Sequence, residues 1–314
     1  MRPAPHYSIE LGEDLRGNRT SHGSVRALEF WMAMSETFGG QNRIDSIGRR
    51  ALRFLIFDHA SRILGGGMAQ TARIASVSPS IAQRIGALDW ESAARSLSER
   101  GYAVTSSILT PAECDSLVAL YNDASRFRSH VVMERYRFGI GDYKYFANPL
   151  PELVTELRSA AYPHLAEIAN HWAGALGETA RQYPRDHEAF LKTCHKAGQA
   201  KPTPLMLHYE AGGFNCLHQD LYGEVSFPLQ MVFLLGQQGR DWEGGELVLV
   251  EQQPRAQSKA QVVVADCGQA IIFTTRDRPV KGSRGYCRVN LRHEVSRVHR
   301  GARYTLGVIF HDAK

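Results

Sequence analysis

Between Leu205 and Phe310 the chain falls into seven short β-rich runs, punctuated by glycine, proline and aspartate. They are Leu205 to Tyr209, Leu229 to Leu235, Glu246 to Glu251, Gln261 to Ala265, Ala270 to Thr275, Tyr286 to Leu291 and Tyr304 to Phe310. Branched and aromatic side chains favour a pleated surface, and the residues between the runs reverse the chain at low cost, so an antiparallel sandwich or barrel is expected rather than a doubly wound sheet. Helical patterns precede this region. Trp90 to Arg100 sets Ala93, Ala94 and Leu97 on one face and stops at Gly101, and a strand over Tyr102 to Leu109 is expected after it. Thr110-Pro111-Ala112-Glu113 is a capping box with proline at the first helical position. Leu150 to Leu176 reads as a helix that Pro163 should kink or divide, and Asp186 to Lys196 as a shorter one.

With 314 residues, 43% hydrophobic and 22% charged, the chain can bury a real core, which excludes collagen, coiled coil and wholesale disorder. Three segments are expected: residues 1–67 as a poorly ordered N-terminal extension, 68–203 as a helical support region with flanking strands, and 204–314 as the β core. No apolar run approaches the ~18 residues of a membrane span, and Met1 to Glu10 lacks a signal-peptide pattern, so a cytoplasmic location without a membrane partner is expected. The five cysteines are widely spaced without a C-x-x-C, which points to reduced structural thiols.

The chemistry concentrates in Leu207-His208-Tyr209-Glu210-Ala211-Gly212-Gly213-Phe214-Asn215-Cys216-Leu217-His218-Gln219-Asp220. On extended backbone, His218 and Asp220 point to one face and can chelate one ion. An imidazole and a carboxylate are two members of the 2-His-1-carboxylate triad that leaves open positions on a non-haem Fe(II). His-x-Asp alone is a weak signal. A later strand must supply the remaining imidazole, and His293 is placed to do so, with Arg303 ten residues beyond it. Arg303 and Thr305 share a strand face, where a guanidinium and a hydroxyl can hold a carboxylate such as the distal one of 2-oxoglutarate. His208-x-Glu210 is a rival pair, though it sits before the Gly-Gly turn. His299 is a rival third imidazole, but it leaves too few residues before Arg303 for a strand, a turn and a return.

This ordered set resembles the Fe(II)/2-oxoglutarate-dependent oxygenases with prolyl-hydroxylase-like spacing, over roughly Pro204 to Asp312. It comprises Tyr209-x-x-Gly212-Gly213, His218-x-Asp220, Gly244-Gly245-Glu246-Leu247, Asp266-Cys267-Gly268-Gln269-Ala270-Ile271-Ile272-Phe273, and His293 with Arg303. The resemblance implies an α+β fold with a double-stranded β-helix, or jelly-roll, core and a supporting layer of N-terminal helices. It also implies Fe(II), 2-oxoglutarate and O2 as cofactors, with release of succinate and CO2. His218, Asp220 and His293 would then be metal ligands, and Arg303 and Thr305 would bind the cosubstrate. Tyr209 would donate a hydrogen bond to it, although a core tyrosine accounts for that residue equally well.

The resemblance extends to a bacterial branch suspected of oxidative dealkylation of damaged nucleic acid. From Arg276 to Arg303 nine basic residues face two acids, which fits an anionic partner. The His-to-Arg interval fits a prolyl or protein hydroxylase instead, and a catalytically silent jelly-roll binding module is the third reading. The basic insertion Arg276 to Asn290 either shapes the substrate entrance or extends a hairpin.

Overall fold

The described part of the computed structural model, residues 79–314, opens on two helices, α1 (Ile81–Gly86) and α2 (Trp90–Arg100). The extension expected over residues 1–67 lies outside the described residues. Helix α2 is capped by Asp89 and closed by Gly101 in the left-handed region at φ 86°. The next strand, β1 (Tyr102–Val104), is shorter than the expected Tyr102 to Leu109. Past Thr105 the chain leaves the ladder, and the amides of Ile108 and Leu109 both turn to the carbonyl of Gly268. Helix α3 (Pro111–Leu120) starts at the expected capping box, where Thr110 and Glu113 satisfy each other's backbone amides. Strands β2 (Phe127–Val132), β3 (Gly139–Ile140) and β4 (Asp142–Phe146) lead to α4 (Glu152–Ala175) and α5 (His187–Lys196).

Pro163 does not divide α4, which runs unbroken for 24 residues. An interior proline costs about 3 kcal/mol. Along α4, Val154, Leu157, Ala161, Tyr162, Leu165, Ile168 and Trp172 form a buried stripe against the neighbouring sheet. At roughly 1.5–3 kcal/mol per large apolar side chain, that stripe outweighs the proline.

The remaining strands are β5 (Leu205–Glu210), β6 (Phe214–His218), β7 (Leu229–Leu234), β8 (Trp242–Gly244), β9 (Leu247–Gln252), β10 (Lys259–Val263), β11 (Ala270–Thr274), β12 (Asp277–Gly282), β13 (Gly285–Val295) and β14 (Val298–Ile309). The first sheet has the order β1-β11-β7-β14-β5-β4-β2, with β8 also on β14. The second has the order β10-β9-β13-β6-β3, with β12 on β13. The strand pairs within both sheets are antiparallel. Tyr209, Leu234, Leu249, Phe273, Leu291 and Val295 meet between the sheets, whereas Met206, Phe233, Ile272 and Leu306 face the helices. The first sheet is thus covered on both sides, which is why β7 and β11 are buried along nearly their whole length rather than at alternate residues. This is the expected α+β jelly roll. The strands β1, β2 and β4, from before residue 203, are members of the same sheet as β5.

The insertion Arg276 to Asn290 is a hairpin of β12 and β13. It is fixed at its root by Arg278, which is buried, donates to Glu251 from Nε at 2.9 Å and donates to the Ser98 carbonyl from Nη1 at 2.7 Å. A second buried guanidinium, Arg158 of α4, binds Asp312 at 2.8 Å and the Ile309 carbonyl at 2.9 Å. Among the described residues no helix is long and apolar enough to cross a membrane.

Arg158 also bears on acid stability. His187 and His311 are buried beside it, and burial together with its positive charge pushes both imidazoles down to about 4. In the unfolded chain they titrate near 6.5. Their neutral forms therefore match the folded state fully above that value, and stability is lost as pH falls from about 6.5 through about 4. We expect unfolding free energy from urea titrations to drop over this window by on the order of 3 kcal/mol per histidine. In His311→Gln the slope should flatten, and an unchanged slope would contradict the assignment.

Candidate active site

The turn before β6 sets where that strand begins. Gly212 has φ 92°, and a Cβ on Gly213 would stand 2.9 Å from the Glu210 carbonyl oxygen, so the reversal needs both glycines. Strand β6 then runs antiparallel to β13 with His218 directly opposite His293, and the two rings lie 4.1 Å apart. Asp220 comes just past the end of β6. One of its oxygens is 3.1 Å from His293 Nε2 and the other 3.7 Å from His218 Nε2. The three residues thus offer ligand atoms all within 4.8 Å of one another.

This donor set fits a first-row metal ion. Bonds near 2.1 Å at right angles place neighbouring donors roughly 3 Å apart. The protonation pattern fits as well. The Cys216 carbonyl lies 2.8 Å from His218 Nδ1, which places the proton there and leaves the Nε2 lone pair toward Asp220. Burial and the neighbouring His293 hold the His218 pKa down. Burial alone would raise the Asp220 carboxyl, but His293, His218 and Tyr222 outweigh it and keep that carboxyl well below the usual range. An ionised carboxylate beside a neutral imidazole is what metal binding requires.

The trio opens into a cavity of about 440 Å³ between the sheets. Across it, β14 pairs with β5 so that Arg303 stands opposite Tyr209, and Thr305 lies on the same face. Arg303 is 2% exposed, and among the described residues its Nε and Nη1 have no hydrogen-bond partner; neither does the Tyr209 hydroxyl or Gln230 Nε2. The Gly244-Gly245 segment makes room for this arginine. Gly245 has φ +65°, and a Cβ there would meet Arg303 Cδ at 2.9 Å. Burying a guanidinium without partners is costly, so the cavity suits an anion.

The rivals lie elsewhere. His208 faces away from Tyr209, binds Asp142 Oδ1 at 3.1 Å through Nδ1 and stacks on Tyr304 at 4.3 Å. His299 is exposed and outside the trio. Sequence reasoning missed Tyr222, whose hydroxyl donates to Asp220 Oδ1 at 2.7 Å. The repeat His218, Asp220, Tyr222, two residues apart, was the available signal. It also missed Gln219, whose amide pins the segment to the Leu291 carbonyl at 2.9 Å.

The basic stretch is not one surface. Arg276, Arg278, Arg288 and Arg300 are each paired with a carboxylate, and Arg303 is inside the cavity. Among the described residues Lys281, Arg284, Arg292 and Arg297 remain exposed without an ion pair.

Residues 141–313 match the model of the Oxygenase-NA family, described as an oxygenase catalysing oxidative methylation of damaged DNA. An uncharacterised protein of Mycobacterium tuberculosis is 46% identical over 168 residues, 54% of this chain and 72% of that protein. Among solved structures, a Pseudomonas putida prolyl-4-hydroxylase aligns at 14% identity and TM-score 0.39, over 69% of this chain and 96% of its own. A 2OG-Fe(II) oxygenase family oxidoreductase from Burkholderia pseudomallei aligns at 15% identity and TM-score 0.41, over 71% and 92%. Since the family match spans more than half of the chain and takes in the whole trio together with Arg303, this protein belongs to the Oxygenase-NA family of oxygenases.

Proposed function

We propose that His218, Asp220 and His293 hold the iron, that Arg303 anchors the distal carboxylate of 2-oxoglutarate with Thr305 and Tyr209 beside it, and that the substrate is damaged nucleic acid carrying a methyl group to be oxidised away. The observation that carries the cosubstrate assignment is the buried Arg303 guanidinium, with two nitrogens lacking partners among the described residues, in the cavity onto which the three donors open. A dicarboxylate resolves that unpaired charge and leaves its other end free to reach the metal. Bound iron, with 2-oxoglutarate and O2, supplies oxidation of an unreactive C–H bond, with succinate and CO2 as coproducts.

The chain's own groups set the conditions for that chemistry. The Cys216 carbonyl fixes the His218 tautomer, and Tyr222 orients the Asp220 carboxylate. The Phe273 ring packs edge-on against His293 at 4.9 Å and closes that side to water. Tyr143, Tyr145, Leu207 and Val232 give the cavity walls that favour a flat apolar group over a hydrated one. The nucleic-acid assignment draws on the family description, since oxidising a methyl carbon is what an O2-using site does to a methylated base.

Succinate formation with methylated oligonucleotides should require Fe(II) and vanish in His218→Ala together with metal binding measured by calorimetry. Retention of both in that variant would refute the ligand set. Arg303→Met should raise the KM for 2-oxoglutarate roughly 10- to 100-fold while metal affinity stays near wild type, as expected for losing a charged hydrogen-bond pair. An unchanged KM would remove the anchor. Tyr222→Phe should weaken metal binding by about tenfold. Product analysis on methylated single strands, duplexes and proline-containing peptides tests the substrate. Activity confined to peptides would replace the nucleic-acid reading with protein hydroxylation.

A further inference from the structure

The segment joining β2 to β3 carries Arg135-Tyr136-Arg137-Phe138, two guanidinium groups alternating with two rings, and all four residues are exposed. Tyr136 is 59% and Phe138 46% exposed, yet the rings are not splayed. They stack with centroids 5.5 Å apart and planes 21° from parallel. Arg137 and Phe138 line the mouth of the cavity that holds His218, and Leu217, also exposed, continues the apolar edge along β6.

This feature is rigidly tied to the metal-binding trio. The Phe138 carbonyl accepts from the Cys216 amide at 2.7 Å, and the Cys216 carbonyl in turn lies 2.8 Å from His218 Nδ1. Two hydrogen bonds therefore connect the exposed ring's backbone to the imidazole. The close approach depends on Gly139, where a Cβ would lie 2.2 Å from the Phe214 carbonyl oxygen. Arg137 itself has φ 60° and ψ 31°, a left-handed conformation in which glycine rests without strain and arginine does not. Arg137 thus holds a costlier backbone conformation than glycine would while its side chain stands at the cavity mouth.

We propose that Tyr136 and Phe138, flanked by Arg135 and Arg137, form a stacking platform that binds a single-stranded segment of nucleic acid and presents an unstacked base to the cavity. The inference rests on the nucleic-acid reading of the substrate and deepens it. Every base has a π face that an exposed ring can cover, and guanidinium groups beside the rings attract the strand's phosphates without reading its sequence. A paired base hides its faces in the stack, so flat exposed rings select an unpaired or extruded one. The Arg276 to Arg303 stretch offers no comparable alternation, because four of its cations are already paired and Tyr286 is its one tyrosine, phenylalanine or tryptophan.

The test is fluorescence anisotropy of a dye-labelled methylated single strand with the full-length chain, beside the same sequence as a duplex. Tyr136→Ala/Phe138→Ala should weaken single-strand binding roughly tenfold or more and narrow the preference over duplex. Arg137→Gly should keep or raise the thermal unfolding midpoint while weakening binding and lowering the salt dependence by about 0.7 in log–log slope. Wild-type binding that persists undiminished in both variants overturns the platform but leaves the nucleic-acid reading standing. If the wild-type chain binds neither strand nor duplex and turns over only peptides, the substrate reading fails and the platform with it.

Discussion

The pairing of β6 with β13 is the contact on which the rest depends. Antiparallel register sets His218 against His293, and a strand has a side-chain period of two, so a slip of one residue would turn one imidazole out of the cavity. That register is held from both ends. The glycine turn at residues 212 and 213 fixes where β6 begins, and β9 on the far side of β13 pairs His293 with Leu249. Gln219 then ties the chain beyond β6 back to the Leu291 carbonyl, so Asp220 is delivered to a defined place.

A second constraint is electrostatic. Arg278, Arg158 and Arg303 are all buried, but they are treated differently. The first two meet carboxylates, Glu251 and Asp312, and fasten the hairpin and the long helix to the barrel. Arg303 meets none among the described residues, and its nearest aromatic neighbour, Tyr209, has its ring centroid 5.7 Å away. That contrast, two structural guanidinium groups paired and one without a partner among the described residues at a cavity, is what favours a ligand for the third. The proposed role of Arg303 rests on this contrast as much as on its place ten residues after His293.

The helical layer gives the first sheet its second covered face. Tyr162, Leu165 and Trp172 of α4 pack on one side while Arg303, Thr305 and Gln230 occupy the other, so the cavity wall is stiffened from behind. The same coverage leaves the cavity's open edge to the segment between β2 and β3. There the apolar rings are exposed and arginines alternate with them.

Much of this was legible from the residues in order. The turn glycines, the His-x-Asp pair, the later histidine and the Arg-x-Thr pair are local patterns, and local backbone geometry dictates which way such side chains point. The capping box at Thr110 and the stop at Gly101 are equally local, because they satisfy groups within a few residues. What depended on distant partners was not legible. Pro163 stays inside one helix because a long apolar stripe finds a sheet to cover, and Tyr102 to Leu109 yields only a short strand because Gly268 draws the chain away. The nine basic residues of the Arg276 to Arg303 stretch look like one charged surface until tertiary contacts pair Arg278, Arg288 and Arg300 and bury Arg303. Sequence by itself determined the strand pattern and which residues are candidate donors. Only the folded sheets decided which charges meet a partner, because that is a matter of which strands lie opposite one another and not of which residues are near in the chain.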